Sequence, residues 1–230
     1  MMKRLLAAAL TGAAFCVPVM AQPETEPYSY DSMGCMKLGE CTLGVYELTD
    51  VDWLIEMTNN KGFEKHRPEI ESLLASLNKV GIKVYVAEGP NFPRTHRGVY
   101  YTDNNAFYLN LDHVQYEDKF MEVMRHEGWH AAQDCMAGSI DNSMIAVIHM
   151  PDDVPQQYHL DAEIRYGMLE PKAIPWEREA LWAGSTPGMT DEALKVCADP
   201  TTKMWWEFEP TPKTEWWLKE NGYTLTPYKL

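Results

Sequence analysis

The stretch YEDKFMEVMRHEGWHAAQDCM, residues 116–136, decides the fold. It reads as one long helix. Glu117 and Asp118 stand near its positive end, where acidic side chains interact favourably with the helix dipole, and Gly138 ends it. On this helix lie His126 and His130, one turn apart on one face, with about 6 Å between their Cβ atoms. Two imidazoles so placed reach a common metal ion. Glu127 is rotated by one residue, so it flanks such an ion without binding it. From there it takes a proton from metal-activated water and passes it to a leaving amine.

Working outward, the preceding chain alternates helix and strand signals. Ile70, Leu73, Leu74 and Leu77 repeat at helical spacing, with Pro68 near the start of that helix and Gly81 just past its end. Residues 82–86 alternate as a half-buried strand. Segments 98–102 and 106–111 flank Asp103-Asn104-Asn105 as a β-hairpin. Strand 106–111 is either an ordinary core strand or an exposed edge for an extended peptide. Beyond the long helix, shorter helices are expected over 157–166, 175–183 and 190–197. Gly128, Ala131 and Ala132 are small enough to bring the long helix close to the sheet. The whole predicts an α+β domain: a small N-terminal sheet with a helix, the histidine-bearing helix, and C-terminal helices. There is no internal repeat or low-complexity tract.

The termini say where such a chain works. Residues 1–21 read as a secretory signal peptide: Lys3 and Arg4 precede an apolar run from Leu5 to about Val19, and Ala21 offers a small residue for cleavage. Pro18 and the shortness of the run disfavour a membrane anchor, and no later run spans a bilayer. Residues 22–50, rich in Pro, Gly, Ser and Thr, read as an extended arm, and 51–230 as the domain. Removing the signal leaves Cys35, Cys41, Cys135 and Cys197, an even set that reads as two disulfides in an exported chain. Of the three possible connectivities, Cys35–Cys41 with Cys135–Cys197 is favoured. The second bridge would tie the histidine helix to the segment after Glu179 and hold the ligand helices together. No Cys-x-x-Cys spacing supports a thiolate zinc site.

The 230 residues carry 34 acidic against 20 basic side chains, a net charge of -14. So acidic a surface repels phosphate backbones, which argues against a nucleic-acid partner. Trp205, Trp206, Trp216 and Trp217 read as core cover in preference to a sugar platform, and no Asn-x-Ser/Thr triplet is present.

His126-Glu127-Gly128-Trp129-His130 resembles the HExxH motif of the zincin metallopeptidases. In their metzincin branch a third histidine follows six residues on, where this chain has Met136. In the gluzincin branch the third ligand is a glutamate on a downstream helix, often followed by alanine. The segment from Trp176 to Ala183 resembles that pattern, with Glu179 at the Glu-Ala position. The resemblance covers these two helices and the preceding sheet order. It implies a compact zincin-like domain binding Zn²⁺ through His126, His130 and Glu179, with Glu127 catalytic and a peptide or protein as substrate. Glu177 is the next choice for third ligand, then Glu163 and His149; favourable charge in a first helical turn explains Glu177 and Glu179 equally well without metal. The aspartate that orients a histidine in this branch would fall at Ala183, so Asp134, one turn past His130, is the substitute. Tyr158, His159, Tyr166 and His149 are candidate oxyanion donors among which spacing does not choose. The reading is therefore a secreted or periplasmic zinc metallopeptidase. Its rival is a disulfide-stabilised secreted binding or structural module with a non-catalytic metal site.

Overall fold

The computed structural model describes residues 44–88, 92, 96–102, 104–137, 145–199 and 219–220. The residues read as a signal peptide, the expected Cys35–Cys41 bridge and the tryptophan pairs of the tail lie outside them. The architecture is α+β. Four strands, β1 (Val45–Glu47), β2 (Lys83–Ala87), β3 (Gly98–Tyr101) and β4 (Ala106–Asn110), form a sheet in the order β1-β2-β4-β3. Among the described residues six helices of eight or more residues accompany them: α1 (Val51–Thr58), α2 (Arg67–Lys79), α3 (Glu117–Met136), α4 (Gln156–Tyr166), α5 (Ile174–Ser185) and α6 (Met189–Cys197).

Alternation along the strands builds the core. β2 and β4 run parallel with Val84 beside Phe107 and Val86 beside Leu109. These four face one side, with Ile70, Leu73 and Leu77 of α2 and Phe120, Val123 and Met124 of α3 in the same buried cluster. The other face is a smaller cluster around Phe92, Ala106 and Tyr108, with Tyr85 stacked on Tyr108 at 5.1 Å. Local chemistry sets the helix ends. Asp50 caps α1 by accepting from the Trp53 amide at 2.8 Å, Pro68 opens α2, and Gly81 at φ +85° turns the chain into β2.

Several expectations change. Of the two readings of 106–111 the core strand holds, since β4 is interior and wholly buried, and the sheet edge beside the long helix is β3. Residues 45–47, assigned to the arm, pair antiparallel with β2. α1 and a 3-10 turn at Lys61–His66, which packs Phe63 against Phe120 at 5.2 Å, fill a stretch without a strong periodic signal. Ala131 and Ala132 do join the sheet-side core, but Gly128 serves a different neighbour: a Cβ there would come within 2.9 Å of Thr190 on α6. The Cys135–Cys197 disulfide closes a 62-residue separation and fastens α3 to α6. Among the described residues no helix is long and apolar enough to cross a membrane.

Candidate metal centre

α3 is buried along most of its length, which fixes the direction of the side chains on its site face. His126 and His130 leave it one turn apart, with ring centroids 4.9 Å from each other. α5 runs alongside, brought close by Gly184, where a Cβ would meet the Glu122 carbonyl at 2.9 Å and the His126 Cβ at 3.4 Å. Glu177, Leu181 and Gly184 share one helical stripe at i, i+4 and i+7, and that stripe delivers the Glu177 carboxylate to the histidines. Its Oε2 lies 3.4 Å from His126 Nε2 and its Oε1 lies 3.6 Å from His130 Nε2. One ligand atom from each of His126, His130 and Glu177 falls within 4.8 Å of the others, so the three form a group able to hold a metal ion.

The third member is therefore Glu177, where the sequence favoured Glu179. The physical reason lies in what Glu179 meets. Its carboxylate points inward, at 0% exposure, and accepts from the Ile148 amide at 3.0 Å and the His149 amide at 2.5 Å. It also accepts from Gln133 Nε2 at 2.7 Å and Trp129 Nε1 at 3.4 Å. A carboxylate so supplied with donors has its lone pairs filled. Glu177 Oε2, by contrast, is buried and makes no hydrogen bond among the described residues. His149 stacks on Trp129 at 5.6 Å and is outside the group, and Glu163 is exposed on α4.

No family model, curated protein or solved structure matches the chain. The residues themselves carry the reading.

Charge in the site is mutual. Burial opposes the imidazolium form of His130, but the facing Glu177 carboxylate, with help from Glu127 and Gln133, outweighs it and its pKa is pushed up to about 9. Burial likewise disfavours the Glu177 carboxylate. His130 and His126 outweigh that and hold it below the ordinary carboxylate range. Glu127 differs: burial dominates and raises its pKa, although both histidines and the Tyr100 amide favour its charge. A donor set of two imidazoles and one carboxylate suits Zn²⁺.

His126 and Glu127 open onto a cleft of about 760 Å³ walled by β3, α4 and α5. β3 presses on Glu127: a Cβ on Gly98 would lie 2.8 Å from its Cγ. Tyr166 lines the same cleft, and burial followed by its contact with Glu177 raises its phenol pKa. Tyr158 also lines the cleft, whereas His159 Nε2 is turned to the Pro151 and Val154 carbonyls at 3.0 and 3.2 Å. Asp134, expected to orient a histidine, is buried and accepts from the Tyr100 hydroxyl at 2.6 Å. The partner of His130 Nδ1 is Gln133 Oε1, at 2.9 Å. Sequence reasoning missed Gln133. Its position at i+3 from His130, on the same side of the helix, was the available signal.

Proposed function

We propose that this protein is an exported zinc-dependent peptidase, with His126, His130 and Glu177 holding the ion and Glu127 acting as general base. The observation that carries the reading is the convergence of three ligand atoms from α3 and α5, beside a second buried carboxylate that opens onto a cleft. Catalytic zinc sites use three protein ligands and leave a position for water or substrate; a structural site closes that position and has no use for a neighbouring carboxylate. When bound, the ion supplies Lewis acidity that polarises a carbonyl and makes water easier to deprotonate.

The chain's own groups do the rest. Glu127, beside the two histidines and open to the cleft, is placed to accept a proton from water and return it to the leaving amine. β3 approaches Glu127 closely at Gly98 and confines its side chain. Tyr166, against Glu177 and facing the cleft, steadies that carboxylate and places a phenol donor near the reacting groups. β3 is the edge of the sheet nearest α3, so an extended peptide laid along it would pass close to Glu127. The Cys135–Cys197 bridge accords with an oxidising compartment and with the signal-like first 21 residues.

The test pairs metal analysis with hydrolysis of a general protein substrate. Wild type is expected to hold one zinc per chain and to cleave. Glu127→Gln is expected to keep its zinc while losing roughly 10²–10⁴-fold in rate. Activity that survives Glu127→Gln rejects the mechanism, and bound zinc without hydrolysis of any peptide returns the structural-module reading.

A further inference from the structure

We infer that Gln133 and Glu179 form a positioning pair that fixes which nitrogen His130 presents to the ion, a role that rests on the metal-centre reading above. The argument begins with the two ends of one amide. One end of Gln133 lies 2.7 Å from Glu179 Oε2 and 3.3 Å from the Trp176 carbonyl oxygen. Both of those atoms accept, so that end is the amide nitrogen. The other end is then the oxygen, and it stands 2.9 Å from His130 Nδ1. An oxygen there requires a hydrogen on Nδ1. Nε2 is left to face Glu177 and the ion.

The orientation is enforced from behind. Gln133 and Glu179 are both at 0% exposure, so water offers no substitute for a broken bond. Glu179 cannot swing away, because the Ile148 and His149 amides and the Trp129 indole hold its oxygens. Trp129 is stacked in turn on His149. A continuous set of contacts thus runs from the segment at 148–149 through Glu179 and Gln133 to His130. Chemically, a carboxylate bonded to the amide N–H polarises that amide and strengthens Oε1 as an acceptor. His130 becomes a better donor of its Nε2 lone pair. Glu179 acts through Gln133 and touches neither ion nor substrate, which makes it a positioning residue.

The test needs zinc alone. In the zinc-loaded wild type, nitrogen NMR of the histidine side chains is expected to show His130 coordinated through Nε2 with a slowly exchanging Nδ1–H. In chelator competition, Gln133→Leu is expected to weaken zinc binding by about 10–100-fold. Glu179→Gln is expected to weaken it in wild type and to add little in the Gln133→Leu background, since its effect passes through the same amide. His130 coordinated through Nδ1, unchanged affinity in Gln133→Leu, or additive losses in the double variant each overturn the inference. If Glu179→Gln does not fold, the wild-type spectrum and Gln133→Leu still decide. Zinc bound without hydrolysis defeats the peptidase reading and leaves this pair standing; no bound zinc in wild type overturns both.

Discussion

Glu177 and Glu179 leave α5 two residues apart, about 200° around its axis, and the two faces they occupy have opposite chemistry. On the inner face Glu179 meets only N–H donors, from two backbone amides, an indole and a carboxamide. On the outer face Glu177 meets two imidazole nitrogens at 3.4 and 3.6 Å and has a buried oxygen without a hydrogen bond among the described residues. A carboxylate surrounded by donors is a structural acceptor already satisfied. One set between two imidazoles, with a buried oxygen left without a hydrogen bond among the described residues, is placed to share a cation with them. The lesson is that burial alone does not mark a ligand, because both glutamates are largely withdrawn from water. The polarity of what each faces does.

The comparison is sharpened most strongly by exchanging the charge on each glutamate in turn. Glu177→Gln is expected to lose stoichiometric zinc, a larger effect than the roughly 10–100-fold expected for an outer residue, while disturbing metal-free folding less than Glu179→Gln does. Zinc retained in Glu177→Gln and lost directly in Glu179→Gln, with Gln133 unimportant, would reverse the assignment.

The framework comes next. Breaking Cys135–Cys197, by paired Ser substitution, releases a 62-residue closure and is expected to cost about 4 kcal/mol in denaturant unfolding. Glu177 arrives on α5 while Cys197 lies on α6, so the folded fraction is expected to keep its zinc affinity. A parallel loss of affinity in folded protein would make the bridge part of the centre.

Glu179→Gln should destabilise the metal-free protein by roughly 1–3 kcal/mol, because an amide NH₂ replaces one acceptor among fixed donors. Urea unfolding reads this, and a change smaller than that for Glu177→Gln would contradict the inner-anchor role. The smallest effect concerns a third carboxylate, away from the centre. Asp191 accepts from Ser72 and Ser76 at 2.7 Å each and from Lys195, tying α6 to α2. Burial works against its charge, but Lys195 and the two serines outweigh it and hold its pKa below the ordinary value. A depressed carboxylate contributes stability that is present above the unfolded-state value near 4 and is lost as pH falls through the folded one. Asp191→Asn should therefore lower stability at pH 6 and show a shallower decline toward pH 3. An unchanged acid slope would remove Asp191 from the account.

Much of the frame was legible because its signals are periodic. The four leucine and isoleucine positions between Pro68 and Gly81, the alternation at 82–86, the hairpin around Asn104 and Asn105, and all four later helices appear where the residues indicate. Even counting and export indicated disulfides and left three connectivities open; the favoured Cys135–Cys197 bridge is the one present among the described residues. β1 and α1 were not legible: β1 is only three residues long, and α1 has just Val51 and Leu54 buried. Strand order within the sheet was beyond reach as well, since alternation shows a face and does not say which strand is the edge. At the site, His126, Glu127 and His130 come from one helix, so local spacing placed them together. The choice between Glu177 and Glu179 depended on how α5 is rotated against α3. Gly184 sets that close approach and lies on the stripe with Glu177, a signal visible in the sequence only once the partner helix is known. Gln133 takes the role expected of Asp134 because a one-residue step along α3 turns a side chain through about 100°.

The most direct test of the central claim is an anomalous-scattering map, recorded at the zinc absorption edge, from crystals of the zinc-loaded protein. The account predicts one strong peak bounded by His126 Nε2, His130 Nε2 and the Glu177 carboxylate, with Glu127 beside it and Glu179 still bonded to the Ile148 and His149 amides. A peak coordinated by Glu179, or no peak between the two histidines, would contradict it.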